Sequence, residues 1–383
     1  IEDHPRFEWR GQHLDCARHF YKVKSIVKLV DVMALLKMNR FHWHFSDDEA
    51  FRLEIQSVPD LAKKTSLRGE NQLVPGVFGG GPISGGTYIK EDVKAIVEHA
   101  KSVFIEVLPE IEFPAHALAL TRAFPETRDV EDTGTEASVQ GYSENVLNPA
   151  LPETWQIIES IAEEVSTLFP FGMLHLGADE LPERTWSGSP AVDRLKAEEA
   201  LESSDDVLGW SLHRLAEKLA VKGIRCAAWE EAARGKNGGI GNNALLFSWT
   251  GQRSGIEAAQ SGYDVVMSPA QHVYLDMAHS EKVDDWGAGW AAIVGLTETI
   301  DWEVIPDVAI ADRVLGVEGT FWSEFTTQDH EMQGMIAPRI IGVASKGWVD
   351  EPLEHEEFLI DARCFCEIFT KMDWRWNTAC FSN

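Results

Sequence analysis

Eight short runs rich in β-branched, aliphatic and aromatic residues alternate with longer stretches of helical period, and this alternation constrains the fold more than any other feature. The runs cover 11–15, 40–46, 103–112, 172–178, 224–230, 243–249, 263–269 and 314–322. Helices are expected over 23–39, 89–101, 152–169 and 206–223, the third with Pro152 near its start and the fourth ending in Gly223. Later helices are expected around 328–346 and 353–371. Repeated βα units imply a parallel sheet, and eight of them imply closure into an α/β fold of the (β/α)8 TIM-barrel type. A doubly wound open sheet would need a nucleotide fingerprint. The glycine-rich stretch 78–86 lacks Walker spacing and is expected to be a flexible loop. Residues 1–383 are expected to form one barrel domain.

The charge balance narrows the partners. With 34 basic against 62 acidic residues, the formal charge is −28, a field that disfavours nucleic acid and anionic membranes. Neither a transmembrane run nor a signal peptide is legible, and the first residue is Ile, so the compartment stays open. The five cysteines are odd in number and lack CxxC spacing; buried or partly buried free thiols are expected. The 14 tryptophans serve either as large core side chains or as flat apolar faces for sugar rings.

In a barrel of this type the chemistry sits where strands end and βα loops begin. Asp15 and Arg18 follow the first run; His42, His44, Asp47 and Asp48 belong to the end of the second. Glu110, Glu112 and His116 follow the third, Asp179 and Glu180 the fourth, Trp229, Glu230 and Glu231 the fifth. Trp249 ends the sixth, Tyr274 and Asp276 lie past the seventh, and Trp322 and Glu324 close the eighth. Carboxylates, one arginine and several aromatics at strand ends describe a pocket for a polyol with aromatic walls.

The segments "HLDCARHF", "MNRFHWHFSDDEAFRLEI", "VLPEIEFPAHALA", "HLGADE" and "FWSE", in this order, resemble the barrel domain of family-20 glycoside hydrolases, the β-N-acetylhexosaminidases, from about residue 9 to 350. The resemblance implies exo-acting removal of terminal N-acetylglucosamine, or N-acetylgalactosamine, from β-linked glycosides. It also implies a retaining, substrate-assisted route. The sugar's 2-acetamido oxygen is then the nucleophile and an oxazolinium ion the intermediate, an exception to the two-carboxylate rule of most glycosidases. No cofactor and no metal are implied.

Residue by residue, the resemblance makes Glu180 the general acid and later the base. Asp179 becomes the charged acceptor of the acetamido N–H, and Tyr274 the partner of its oxygen. Asp47 and His116 form a relay behind the acid. Trp229, Trp249 and Trp322 form a box around the acetamido methyl and sugar face. Arg18 and Glu324 clamp the 3- and 4-hydroxyls, and Asp276 reaches the 4- or 6-hydroxyl. The bland alternatives are a loop cap for Tyr274, a surface acid for Asp276 and a structural histidine for His116. Either Glu230 or Glu231 supports the site, and Trp286 or Trp290 lines a leaving-group subsite or belongs to the core. Ala178 stands where many members carry Gly, and Glu112 where Asp is common. The small α+β domain that precedes the barrel in many members is not expected in this chain.

Two rivals compete. His42-x-His44 places both rings on one strand face, as a zinc-dependent amidohydrolase would require, with His116, Asp47 and His175 as further candidate ligands. A non-catalytic sugar-binding barrel is the other, although it would have little use for Glu180 and the groups behind it.

Overall fold

The computed structural model describes residues 3–74, 81–129 and 145–381. Eight parallel strands close into a barrel: β1 (Trp9–Asp15), β2 (Arg40–His44), β3 (Glu106–Glu110), β4 (Met173–His175), β5 (Arg225–Trp229), β6 (Leu245–Ser248), β7 (Asp264–Met267) and β8 (Val314–Gly319). Each pairs with its neighbours in sequence, and β1 closes the ring on β8, with Trp9 opposite Gly316 and Gln12 opposite Gly319. Period-two alternation sorts the side chains. Along β2, Phe41 and Trp43 pack outward in the core under the helices, while His42 and His44 face the lumen. Leu108, Ala227, Trp229, Leu245, Phe247 and Val266 form a second cluster inside the ring.

The helices that cover the barrel start where local chemistry dictates. Helix α1 (Val23–Leu35) buries Ile26, Leu29, Val30 and Met33, an i, i+3, i+4, i+7 face. α2 (Lys90–Ser102) follows, and α3 (Pro152–Leu168) begins on its proline. α4 (Pro190–Glu199) is capped by the Ser189 hydroxyl, which accepts from the Val192 amide at 3.3 Å. α5 (Ser204–Ala220) carries a reciprocal cap: Ser203 Oγ accepts from Asp206 N and Asp206 Oδ2 accepts from Ser203 N, both at 3.1 Å. α6 (Gln252–Gln260), α7 (Ile340–Trp348) and α8 (His355–Lys371) complete the set. The single helix expected over 328–346 is two pieces, Glu331–Ile336 and α7, because Pro338 lacks the amide a continuous helix needs and Ala337 is extended at ψ 134°.

Within the glycine-rich stretch, residues 78–80 lie outside the described residues. Ser84–Gly85 pairs with Leu67–Arg68 as a small two-stranded sheet rather than a free loop. No helix among the described residues is long and apolar enough to cross a membrane. All five cysteines are free, and Cys364 is exposed rather than buried. Burial pushes the Cys226 thiol up to about 12. In the folded chain Cys364 should therefore react rapidly with an aromatic disulfide reagent, while Cys16 and Cys226 react only on unfolding. Mass mapping of the labelled sites after short exposure checks this, and early labelling of Cys16 would contradict the packing.

Candidate active site

The fourth strand leaves the sheet after three residues and touches β3 only at Glu110–His175. Beyond it the backbone is held by irregular bonds: Leu176 N donates to Ala227 O at 2.9 Å, and Trp229 N donates to Gly177 O at 2.9 Å. Gly177, Ala178 and Glu180 all adopt positive φ (62°, 75° and 52°), the left-handed region that costs an L-residue about 1–2 kcal/mol. A Cβ at Gly177 would collide with the Glu112 carboxylate, so only glycine fits there. This twist turns Asp179 and Glu180 toward one histidine.

His116, itself at φ 48°, lies between carboxylates. Its Nδ1 is 3.1 Å from Asp47 Oδ1 and 3.5 Å from Asp48 Oδ2. Its Nε2 is 3.2 Å from Glu180 Oε2 and 3.7 Å from Asp179 Oδ2. Burial opposes charge on the ring, but Asp47 and Asp179 overcome it and hold the imidazole well above its ordinary range. Burial likewise opposes ionisation of Asp47, but Arg18 and His116 pull its carboxyl well below the usual carboxylate range. Asp48 anchors the surroundings, accepting from Leu118 N at 3.0 Å and from Asn145 Nδ2 at 2.9 Å.

Asp179 is less ready to ionise than a free carboxyl. Burial, with the adjacent Glu180 adding to it and His116 opposing, pushes it up to about 7. Among the described residues, no hydrogen-bond donor reaches its buried Oδ1.

An aromatic enclosure stands beside this pair. Trp249 stacks on Tyr274 at 6.4 Å and 18°, and Trp322 lies 5.9 Å from Trp229 and 6.4 Å from Tyr274. Trp229 forms the floor, fully buried, its indole donating to Glu110 Oε1 at 3.0 Å. Glu230 accepts from the amides of Trp249 and Thr250 at 2.9 and 3.0 Å, and Glu231 accepts from the Trp249 indole at 3.0 Å. Both glutamates therefore support the wall. Trp290 settles the open alternative between core and pocket. It is 60% exposed, with its ring 5.9 Å from both Trp249 and Tyr274. Trp286 is also exposed.

The polar end gathers carboxylates around Arg18. Arg18 lies 2.7 Å from Asp47 and 2.8 Å from Glu49, with Trp322 5.3 Å beneath its guanidinium. Glu324 is in electrostatic reach of Arg18. Burial raises Glu324 to about 7 against the pull of Arg18. Asp276 is raised well above its ordinary range, by burial first and then by Glu324, and its buried Oδ1 has no hydrogen-bond partner among the described residues.

His42, His44 and Glu110, which chain order assigns to strand ends, lie in the lumen beneath the pocket. His42 bridges Glu318 at 2.7 Å and Glu110 at 3.1 Å; His44 bridges Glu110 at 2.6 Å and Asp47 at 2.8 Å. Burial would lower both rings, yet these carboxylates raise His42 to about 9 and His44 to about 10. His175 Nδ1 adds a contact to Glu110 at 2.7 Å. Several such groups are close enough to hold an ion. In the structure His42 and His44 pair with carboxylates as a buried ion-pair floor.

Residues 7–351 match the family profile "Glycosyl hydrolase family 20, catalytic domain". The chain belongs to glycosyl hydrolase family 20. A β-hexosaminidase of Vibrio furnissii is 35% identical over 91% of this chain and 57% of its own length. A β-hexosaminidase of Porphyromonas gingivalis is 31% identical over 94% of this chain and 45% of its own. The chain thus spans about half the length of these relatives. The crystal structure of a family-20 exo-β-N-acetylglucosaminidase from Vibrio harveyi, in complex with N-acetylglucosamine, superposes with a TM-score of 0.90. It shares 32% identity over 97% of this chain and 59% of that one.

Three residues at this family-20 site escape the sequence. Glu49 follows Asp47 and Asp48 in a carboxylate run, a signal that was available. Glu318 and Arg339 give no local sign, since most of their partners lie far away in sequence.

Proposed function

We propose that this chain is an exo-acting β-N-acetylhexosaminidase that removes terminal N-acetylglucosamine or N-acetylgalactosamine by the retaining, substrate-assisted route. The observation that carries the reading is the shared position of Asp179 and Glu180 on His116 Nε2, their nearest oxygens within 4.8 Å of one another. That is too close for the about 6.5–9.5 Å separation that admits a water between acid and base in inverting enzymes. Against Asp179 as a direct nucleophile stands its place: it lies deep, in electrostatic reach of Tyr274 and Glu231 on the aromatic side of the pocket.

The steps follow from these positions. The acetamido group enters the enclosure of Trp229, Trp249, Trp322 and Tyr274, its methyl against the rings. Its N–H supplies the donor that Asp179 Oδ1 lacks, which favours the aspartate anion as positive charge develops on the oxazolinium ring. Tyr274 directs the acetamido oxygen toward the anomeric carbon, so the nucleophile arrives already oriented. Glu180 protonates the leaving oxygen, and the carboxylate so formed takes the proton of the attacking water in the second step, which restores the acid; His116, backed by Asp47, orients Glu180 throughout. Arg18, Glu324 and Asp276 receive the hydroxyls of the terminal sugar.

The deciding experiment compares two aryl β-glucosides, one with a 2-acetamido group and one with a plain 2-hydroxyl, each with and without chelator. Cleavage of the acetamido compound alone, unmoved by chelator, is expected. Equal cleavage of both would demand a protein nucleophile, and loss on chelation would overturn the metal-free reading.

A further inference from the structure

Arg339 is fully buried, one residue past Pro338 at the start of α7. Every hydrogen bond of its guanidinium goes to a backbone carbonyl. Nη1 donates to Met277 O and Val294 O, both at 2.7 Å. Nη2 donates to Leu275 O at 2.5 Å and to Met335 O at 2.8 Å, and Nε donates to Met335 O at 3.1 Å. Three of these four carbonyls belong to the long connection between β7 and β8. From 275 to 296 that connection contains no helix.

The carbonyls it holds are next to pocket residues. Leu275 and Met277 give their oxygens to Arg339 and flank Asp276, and Leu275 follows Tyr274. Tyr274 and Asp276 are the two residues assigned to the sugar. The same bonds tie down the far end of the loop at Val294. Between them Ala278 N donates to Ala288 O at 2.6 Å and Ala288 N donates to Asp276 O at 2.8 Å, so the segment bearing Trp290 is folded back on the held portion. A lysine could not replace this arrangement. Its ammonium has three donors around one point, whereas the guanidinium spreads five across a rigid plane.

We propose that Arg339 is a positioning residue that sets Tyr274, Asp276 and Trp290 against the bound sugar by gripping both ends of the β7–β8 loop. The proposal rests on the assignment of Tyr274 and Asp276 above. Its test uses the full chain. In the unaltered protein, hydrogen exchange of the amides at 275–278 and 294 should be as slow as that of α7, to which they are tied; exchange at the rate of a free loop would end the proposal without any variant. In Arg339→Lys, peptides covering 275–294 should exchange faster while α5 does not change, and kcat on the aryl 2-acetamido glycoside should fall about tenfold.

The same substitution placed in Tyr274→Phe should cost less than about threefold more, because the two changes damage one constellation. A full tenfold cost in that background, or faster exchange throughout the molecule, would make Arg339 a general stability residue and overturn the proposal. If the unaltered chain leaves the acetamido substrate intact, the functional reading fails, yet the exchange data still decide whether Arg339 holds the loop.

Discussion

Glu180→Gln should lower kcat on a 2-acetamido glycoside with a poor leaving group by about 10²–10⁴-fold, the usual worth of a placed general acid. Gln keeps the shape of Glu and a contact to His116 Nε2, but it has no proton to give the departing oxygen. The loss should therefore shrink as the leaving group becomes more acidic, since a dinitrophenolate departs without help. Because the Glu180 side chain is 30% exposed and sits at the mouth of the pocket, the melting temperature should hardly move. The check is a series of aryl leaving groups compared between the two proteins. A uniform loss across the series, or none, would remove Glu180 from the role of acid.

Asp179→Asn should act in two directions at once. Turnover of N-acetyl substrates should drop by about 10²–10³-fold, as expected when a preorganised group facing developing charge is neutralised. Stability at alkaline pH should rise. The folded carboxyl titrates at about 7 against an ordinary 3.8, so in the folded state it holds a proton that the unfolded chain gives up. Its stabilising share is complete below about pH 4 and is lost as pH climbs through 7.

A shift of about three pH units, which already includes the opposing pull of His116, corresponds to an upper bound of about 4 kcal/mol. Asn carries no such liability, so the variant should be the more stable protein at pH 8, by about 2 kcal/mol. Some decline with pH should remain, because burial holds Glu324 at about 7 and Glu231 at about 8 with the same sign. Denaturant melts of both proteins at pH 5 and 8 provide the measurement. Parallel pH profiles would show that Asp179 is ionised throughout. Unchanged hydrolysis would separate it from the acetamido step.

The barrel was legible because each strand is a compact apolar run and each crossover has its own helical face, signals that reside within a few residues. The candidate pair Asp179 and Glu180 stands out for a similar reason: adjacent carboxylates after a strand are a local pattern. Proton occupancy was not. Asp179 is raised by burial among groups from four other strands, a collective property that no single stretch encodes. Chain order put His44 and Glu110 at the ends of their strands, as the structure has them, but it does not say which face those last residues present. Pro338 did announce the break in the helix expected over 328–346. Trp290 could not be assigned by its neighbours in sequence, since its ring meets Trp249 and Tyr274 from across the pocket.

The left-handed turn at 177–180 divides the pocket for anyone wishing to retarget the enzyme. A β-branched side chain at 178 or 180 would add steric cost to backbone already in a disfavoured region, and any side chain at 177 would displace Glu112. Libraries that diversify this segment would lose folded members before they gained new specificities. The span 279–293 carries no such constraint along most of its length, lies between the carbonyls that Arg339 holds, and contains the exposed Trp286 and Trp290. Changes of aglycone preference should be sought there, with the 177–180 turn left as it stands.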